Sequence, residues 1–113
     1  MNEKIVRLTG TTRVDEYGCQ RQDSIAYLKV GDPLKGFVES GWVVITDQDN
    51  AEIGEIRGFD SDLIIRAAKQ GHIINFTVSK LKETDLGKIN VHILVKTYTK
   101  KEAQKLATSG TNE

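Results

Sequence analysis

Three arginines are the residues of this sequence best suited to hold a phosphate group. Arg13, Arg21 and Arg57 each carry a planar guanidinium whose N–H donors match the oxygens of a phosphate. Gln22 adds an amide beside Arg21, and Tyr17 lies in a glycine-containing loop where its ring could stack on a base. These five residues form the candidate nucleic-acid-binding set. Their spacing leaves open whether the three arginines converge on one phosphate path.

Each candidate also has a purely structural interpretation. An arginine at the start of a helix, as Arg21 is predicted to be, is typical of a solvated surface. Trp42 could act as a stacking platform, but a lone tryptophan in a run of strand-forming residues favours a place in the core or over the end of a barrel. Tyr17 fits either interpretation.

One group of oxygen-bearing side chains is spaced like the ligands of a divalent cation. Its members are Asp47, Asp49, Asn50 and Glu52. The glycine and the terminal glutamate of a calcium-binding loop are missing, so a solvated turn is predicted instead. Cys19 has no second cysteine with which to share a zinc ion, and His72 and His92 lack ligand spacing. No catalytic motif occurs, and we predict no metal, no cofactor and no enzymatic activity.

Composition predicts a single globular domain without a strong overall charge. The chain has 113 residues, enough to bury one core, and its 16 basic residues balance its 16 acidic ones. A nucleic-acid site must therefore be a local patch, since no net positive field exists to attract a polyanion. One cysteine, no long apolar run and no signal-peptide pattern at the start predict a cytoplasmic protein that does not enter a membrane.

Hydrophobic alternation predicts about six short strands, with one or two short helices. Strands are expected over residues 4–9, 33–39, 42–45, 51–56, 72–82 and 89–96, and helices over residues 21–29 and 62–70. The central element is the hairpin of residues 42–56. Many short strands with one inserted helix are typical of a small, partly open β-barrel, here residues 1–98. Residues 99–113 are predicted to be a flexible polar tail, with residues 100–107 transiently helical and the chain mobile after Thr108.

The same alternation assigns faces to each strand. In the second strand of the hairpin it predicts that Glu52, Glu55 and Arg57 face water. The predicted core consists of Val6, Leu8, Leu28, Leu34, Val43, Ile45, Ile53, Ile56, Leu63, Ala67, Ile74, Phe76, Val78, Ile93 and Val95.

The order of these features resembles the HIRAN domain family over about residues 5–98. The first matching features are a strand followed by Gly10, Thr11 and Thr12, and a helix that begins with Arg21 and Gln22. The segment from Leu28 to Asp32 then leads into a strand. The last matching feature is the strand from Glu52 to Ile56, which is followed by a helix, a glycine and another strand. The resemblance implies a compact barrel related to SH3-like and OB folds, as in the stand-alone bacterial members. It also implies binding of the three-prime hydroxyl end of single-stranded DNA.

One family feature is shortened in this chain. Family members carry an Asn-Pro-Tyr-Asp-like loop that helps to grip the DNA end, whereas here only Ser40 and Gly41 connect the corresponding strands. Arg21 and Gln22 are the positions that match a family signature. Two functions therefore remain open: a module that binds single-stranded DNA ends, and a protein-interaction or self-association module that uses an exposed edge strand or aromatic groove.

Overall fold

The computed structural model describes residues 1–14 and 17–111, with side chains up to Lys105. The elements in chain order are β1 (Asn2–Arg7), α1 (Arg21–Ile25), β2 (Pro33–Glu39), β3 (Trp42–Thr46), β4 (Glu52–Ile56), α2 (Phe59–Lys69), β5 (Ile73–Glu83), β6 (Ile89–Tyr98) and α3 (Lys100–Thr111). The predicted mainly β class is confirmed. None of the helices in the described part of the chain combines the length and the apolar character needed to cross a bilayer.

All six strands belong to one antiparallel sheet in the order β1-β6-β5-β2-β3-β4. The strands β1 and β4 are its two edges, and within the described residues no ladder joins them. A single isolated bridge connects the edges instead, because the backbone N–H groups of Thr9 and Glu55 each donate to the other residue's carbonyl over 2.9 Å. The two ends of the sheet are thereby brought together at one point.

The connection between β2 and β3 is the tight turn that the sequence indicated. Ser40 and Gly41 both have positive φ, 50° and 86°, which is the backbone conformation of a two-residue type I′ hairpin. Glycine adopts this conformation without strain. The turn pairs Glu39 with Trp42 and fixes the register of the whole hairpin.

The core agrees with most of the predicted set and corrects part of it. Leu63 is 39% exposed, whereas its neighbour Ile64 is buried, so the apolar stripe of α2 lies one residue further along than predicted. Leu28, Ala67 and Ile74 are only partly buried. The other predicted core residues are buried, and the core or its margins also include Ile25, Val44 and Val91.

The helix boundaries differ from the predicted ones. Helix α2 begins at Phe59 rather than near residue 62, and α1 ends at Ile25 rather than extending to residue 29. Helix α3 occupies the segment predicted to be a polar tail; the mobility of its end stays a prediction. The ammonium group of Met1 pairs with Glu102 at the start of α3 and, as the largest cause, lowers the pKa of Glu102 to about 2.

Candidate functional site

A buried glutamate lies at the centre of the candidate site. Glu55, in β4, is 1% exposed, so the prediction that this side chain faces water is wrong. Its pairing with Val44 places Glu55 on the face of the sheet opposite Val43 and Ile56, but the segment after β1 and helix α1 lie against β4 and remove it from solvent. A carboxylate in such a place needs compensating charge and hydrogen bonds.

Three arginines supply that compensation at one carboxylate oxygen. The distances from Glu55 Oε1 are 2.7 Å to Nη1 of Arg13, 3.1 Å to Nη2 of Arg57 and 3.6 Å to Nη1 of Arg21. The arginines come from the loop after β1, the start of α1 and the residue after β4. The fold therefore brings together all three arginines of the predicted set. We call Glu55 and these arginines the arginine cluster.

The three arginines differ in how much of each is accessible. Arg21 is 12% exposed and also donates to the Gly10 carbonyl oxygen at 3.0 Å and to Glu52 Oε1 at 3.2 Å. Its positive charge is therefore largely compensated by acceptors within the protein. Arg13 and Arg57 have 52% and 40% of their side chains exposed, so these two present guanidinium groups to solvent.

The backbone at Gly10 allows the cluster to pack. A Cβ atom at this position would lie 2.6 Å from Glu55 Oε1 and 3.0 Å from Nη1 of Arg21. Gly10 also has a φ of +68°, a conformation that side chains rarely adopt. Both facts require glycine here.

The side chain of Gln22 is engaged with the backbone of two other segments. Its Nε2 donates to the carbonyl oxygens of Thr11 at 3.1 Å and Ile89 at 3.0 Å, and its Oε1 accepts from the Ile89 N–H at 2.7 Å. The amide thus ties α1 to the loop after β1 and to the start of β6. The structure gives Gln22 a positioning role beside the cluster.

A cleft of about 630 Å³ opens beside Arg13 and Arg21. Its lining includes Tyr17, which is 84% exposed, and Glu52 from β4. The fold therefore also brings Tyr17 to the arginines. Counting the three arginines against Glu52 and Glu55, the described part of this site carries one net positive charge. The sequence adds two acidic residues, Asp15 and Glu16, which lie outside the described residues.

On the other side of the cluster, Arg57 stacks on an aromatic ring. Its guanidinium lies 4.0 Å from the centroid of the Trp42 ring, a cation–π geometry. Trp42 is partly exposed, so it is neither a fully buried core residue nor an open platform. One face of the indole is covered by a cation that is itself fixed to Glu55.

No family model matches this chain. No curated protein and no solved structure matches it either.

The spaced oxygen group after β3 forms a turn. Asp47 Oδ1 accepts from the backbone N–H groups of Asp49 and Ala51, both at 2.9 Å, and Asn50 has the positive φ of 69° that closes the turn. Among the described residues, no group of three or more metal-ligating side chains comes together. The carboxylate of Asp47 organises the β3–β4 connection.

Glu55 is the residue of the candidate site that the sequence analysis did not indicate. The sequence holds a signal for it, since Ile53, Gly54 and Ile56 around it are small or apolar. A carboxylate flanked by such residues, in a chain with five arginines, favours a buried ion pair.

Proposed function

We propose that this chain is a non-enzymatic module that binds single-stranded nucleic acid, with Arg13 and Arg57 contacting phosphate. The observation that carries the proposal is the arginine cluster, in which one buried carboxylate holds three guanidiniums and two of them are partly exposed. Arg21 and Gln22 serve as positioning residues in this proposal. Tyr17 lies at the cleft, where its ring can stack on a base.

The geometry suits an anion because the arginines keep unused donors. A guanidinium has five N–H donors, and the pairs with Glu55 use one nitrogen each of Arg13 and Arg57. Since Glu55 already restrains both side chains, less rotamer entropy is lost when a phosphate binds. The charge is local, which fits a protein with no net charge.

The resemblance to HIRAN domains supports a strand end as the ligand, and a free three-prime hydroxyl as its distinguishing feature. The bridge between Thr9 and Glu55 supports the related proposal of a small SH3-like or OB-like barrel, since it joins the two edges of the sheet. The turn at Ser40 and Gly41 is too short to carry the family's gripping side chains. We therefore expect weaker discrimination of the strand end than a longer loop would give.

A fluorescence titration with short labelled oligonucleotides tests the proposal. Wild-type protein should bind saturably at low salt, with a slope of log affinity against log salt of about −0.7 for each phosphate neutralised on a single strand. Arg13→Ala and Arg57→Ala should each weaken binding and flatten that slope by about one such contact. Arg66→Ala, which removes an exposed arginine of α2, is the matched control. It should change neither the affinity nor the salt slope.

Oligonucleotides with a free or a blocked three-prime hydroxyl separate end recognition from general strand binding. Equal affinity for both would remove the end-specific part of the proposal. Absence of saturable binding by the wild-type protein at high micromolar concentration and low salt would refute the proposed function altogether.

A second candidate function is a protein-interaction or self-association module. It is favoured by the two edge strands, β1 and β4, which within the described residues meet only at the Thr9–Glu55 bridge, and by the exposed apolar residues Phe37 and Val38 near the end of β2. Sedimentation velocity over a range of concentrations tests it. A monomer at all concentrations would exclude self-association.

A further inference from the structure

Two aromatic side chains stand on the same face of the sheet as Glu55. The register pairs Phe37 of β2 with Val44 of β3, and Val44 with Glu55 of β4. Because directly paired residues point to the same side of a sheet, these three form one row. Trp42 is two residues from Val44 and therefore belongs to the same face. We call this surface the outer face of β2–β4.

The outer face is open at Phe37. Strand β5 pairs with β2 only at Pro33 and Leu34, so the part of β2 that carries Phe37 extends beyond β5. Phe37 is 47% exposed, whereas Val44 beside it is 1% exposed. An aromatic ring thus stands at the surface next to a closely packed row.

Phe37 and Trp42 are diagonal neighbours across the β2–β3 pair. Residues in this relation have Cα atoms roughly 7–8 Å apart, within reach of two aromatic rings and of a ligand that touches both. Trp42 in turn carries the Arg57 guanidinium on its ring at 4.0 Å. The order across the face is therefore an exposed aromatic ring, a second aromatic ring, and a partly exposed cation fixed to Glu55.

This order fits the alternation of base and phosphate in a single strand. Aromatic rings stack on bases of any sequence, and a guanidinium donates hydrogen bonds to the phosphate that follows. An acidic group, Glu39, is paired with Trp42 and lies two residues from Phe37 on the same face, so the favourable potential for a phosphate is at the Arg57 side. A strand bound on this surface would therefore have a phosphate near Arg57 and its bases toward Phe37.

We infer that the outer face of β2–β4 is a base-stacking platform, so that the bound strand extends from the arginine cluster across Trp42 to Phe37. This inference rests on the proposed function and adds the substrate class: a strand of two or more nucleotides with intact bases, rather than a lone terminal phosphate. Phe37 becomes a binding residue that the sequence did not indicate.

The intrinsic fluorescence of Trp42 provides a direct readout, since it is the chain's single tryptophan. Oligothymidylates of one, two, four and six nucleotides are titrated against the wild-type protein, together with an abasic sugar–phosphate strand of six units. Affinity should rise with length through the first few nucleotides, and the abasic strand should bind weakly. The oligothymidylates should quench Trp42, because a base stacked on Phe37 lies beside the indole.

Variants at Phe37 test the platform against a matched control. Phe37→Ala should weaken binding of the longer strands by about tenfold, as expected for the loss of one stacked base. Val38→Ala changes the adjacent residue, which is 55% exposed and points to the opposite face, and should leave binding unchanged. Phe37→Tyr should retain affinity and Phe37→Leu should lose it, which separates stacking from a loss of folding.

The outcomes separate this inference from the proposed function. Binding by the wild-type protein that does not depend on bases, on length or on Phe37 would overturn the platform and leave the arginine cluster as the binding site. Failure of every strand to bind would overturn both. A dimer that dissociates in Phe37→Ala would assign the face to a second copy of the chain and likewise overturn the platform.

Discussion

Replacing Glu55 with glutamine tests whether the arginine cluster holds the fold together. The change keeps the shape of the side chain and removes the charge that faces three guanidiniums. Removing one partner of a buried ion pair generally destabilises a protein by about 3–5 kcal/mol. Arg13 and Arg57 are about half exposed and regain hydration, so most of the loss comes from Arg21, which is 12% exposed. We therefore expect the lower end of that range, about 3 kcal/mol.

Urea unfolding followed by Trp42 fluorescence and by circular dichroism measures this effect. For a small domain, unfolding free energy falls by about 1–3 kcal/mol per molar urea, so Glu55→Gln should lower the midpoint by about 1–3 M. Glu52→Gln is the matched control, because Glu52 also pairs with Arg21 but is 43% exposed. It should change stability by no more than about 1 kcal/mol.

A double-mutant cycle identifies the source of the loss. We expect Arg21 to be the main unpaired charge in the Glu55→Gln variant. Arg21→Met should then lower the unfolding free energy little in that variant and much more in the wild type, since the two residues interact directly. Equal midpoints for Glu55→Gln and Glu52→Gln would refute the view that Glu55 is a buried, charged centre. Additive effects in the cycle would refute the assignment to Arg21.

Three further substitutions probe the support of the site and the core. Gly10→Ala should destabilise the protein by about 2 kcal/mol or more, because it combines a positive φ with a Cβ placed 2.6 Å from Glu55 Oε1. A free energy of unfolding equal to that of the wild type, measured in urea, would contradict this. Gln22→Ala should destabilise the protein by about 1–3 kcal/mol, because it leaves the Ile89 N–H and C=O without this partner. Hydrogen exchange at the Ile89 amide should accelerate, and unchanged exchange would count against the positioning role of Gln22. Phe76→Ala should cost about 3–5 kcal/mol, and an unchanged melting temperature would show that Phe76, 8% exposed, contributes little to the core.

Alternation along the chain was enough to predict the strands of this protein. The hairpin of β3 and β4 follows from a run of β-branched residues, a polar turn and a second alternating run, which are local features. The turn at Ser40 and Gly41 is equally local. Helix α2 was found as well, although its buried stripe runs through Ile64 rather than Leu63 because one residue of rotation is within the uncertainty of a short amphipathic pattern.

The interior of the candidate site could not be predicted in the same way. A β-bulge at Ile53 interrupts the alternation, since Ile45 pairs with Gly54 and Thr46 pairs with Glu52, and it leaves Glu55 on the face of Val44, opposite Ile56. The sequence pattern treats that face as open to water. Burial came from the segment after β1 and from α1, which are distant in sequence and reach β4 only through tertiary packing. The convergence of Arg13, Arg21 and Arg57 depends on the same packing. The residue types therefore indicated the kind of ligand, but their spacing in the sequence could not predict that they meet.

The sharing of one carboxylate oxygen among three arginines also affects how the chain can change over evolutionary time. Because Glu55 keeps two cationic neighbours when Arg13 or Arg57 is lost, each of these exposed positions can vary without leaving a buried charge alone. Glu55 and Gly10 have no such substitute, since one is the common partner and the other is the space that it needs. The sequence can therefore vary at the surface of the cluster while its interior stays fixed.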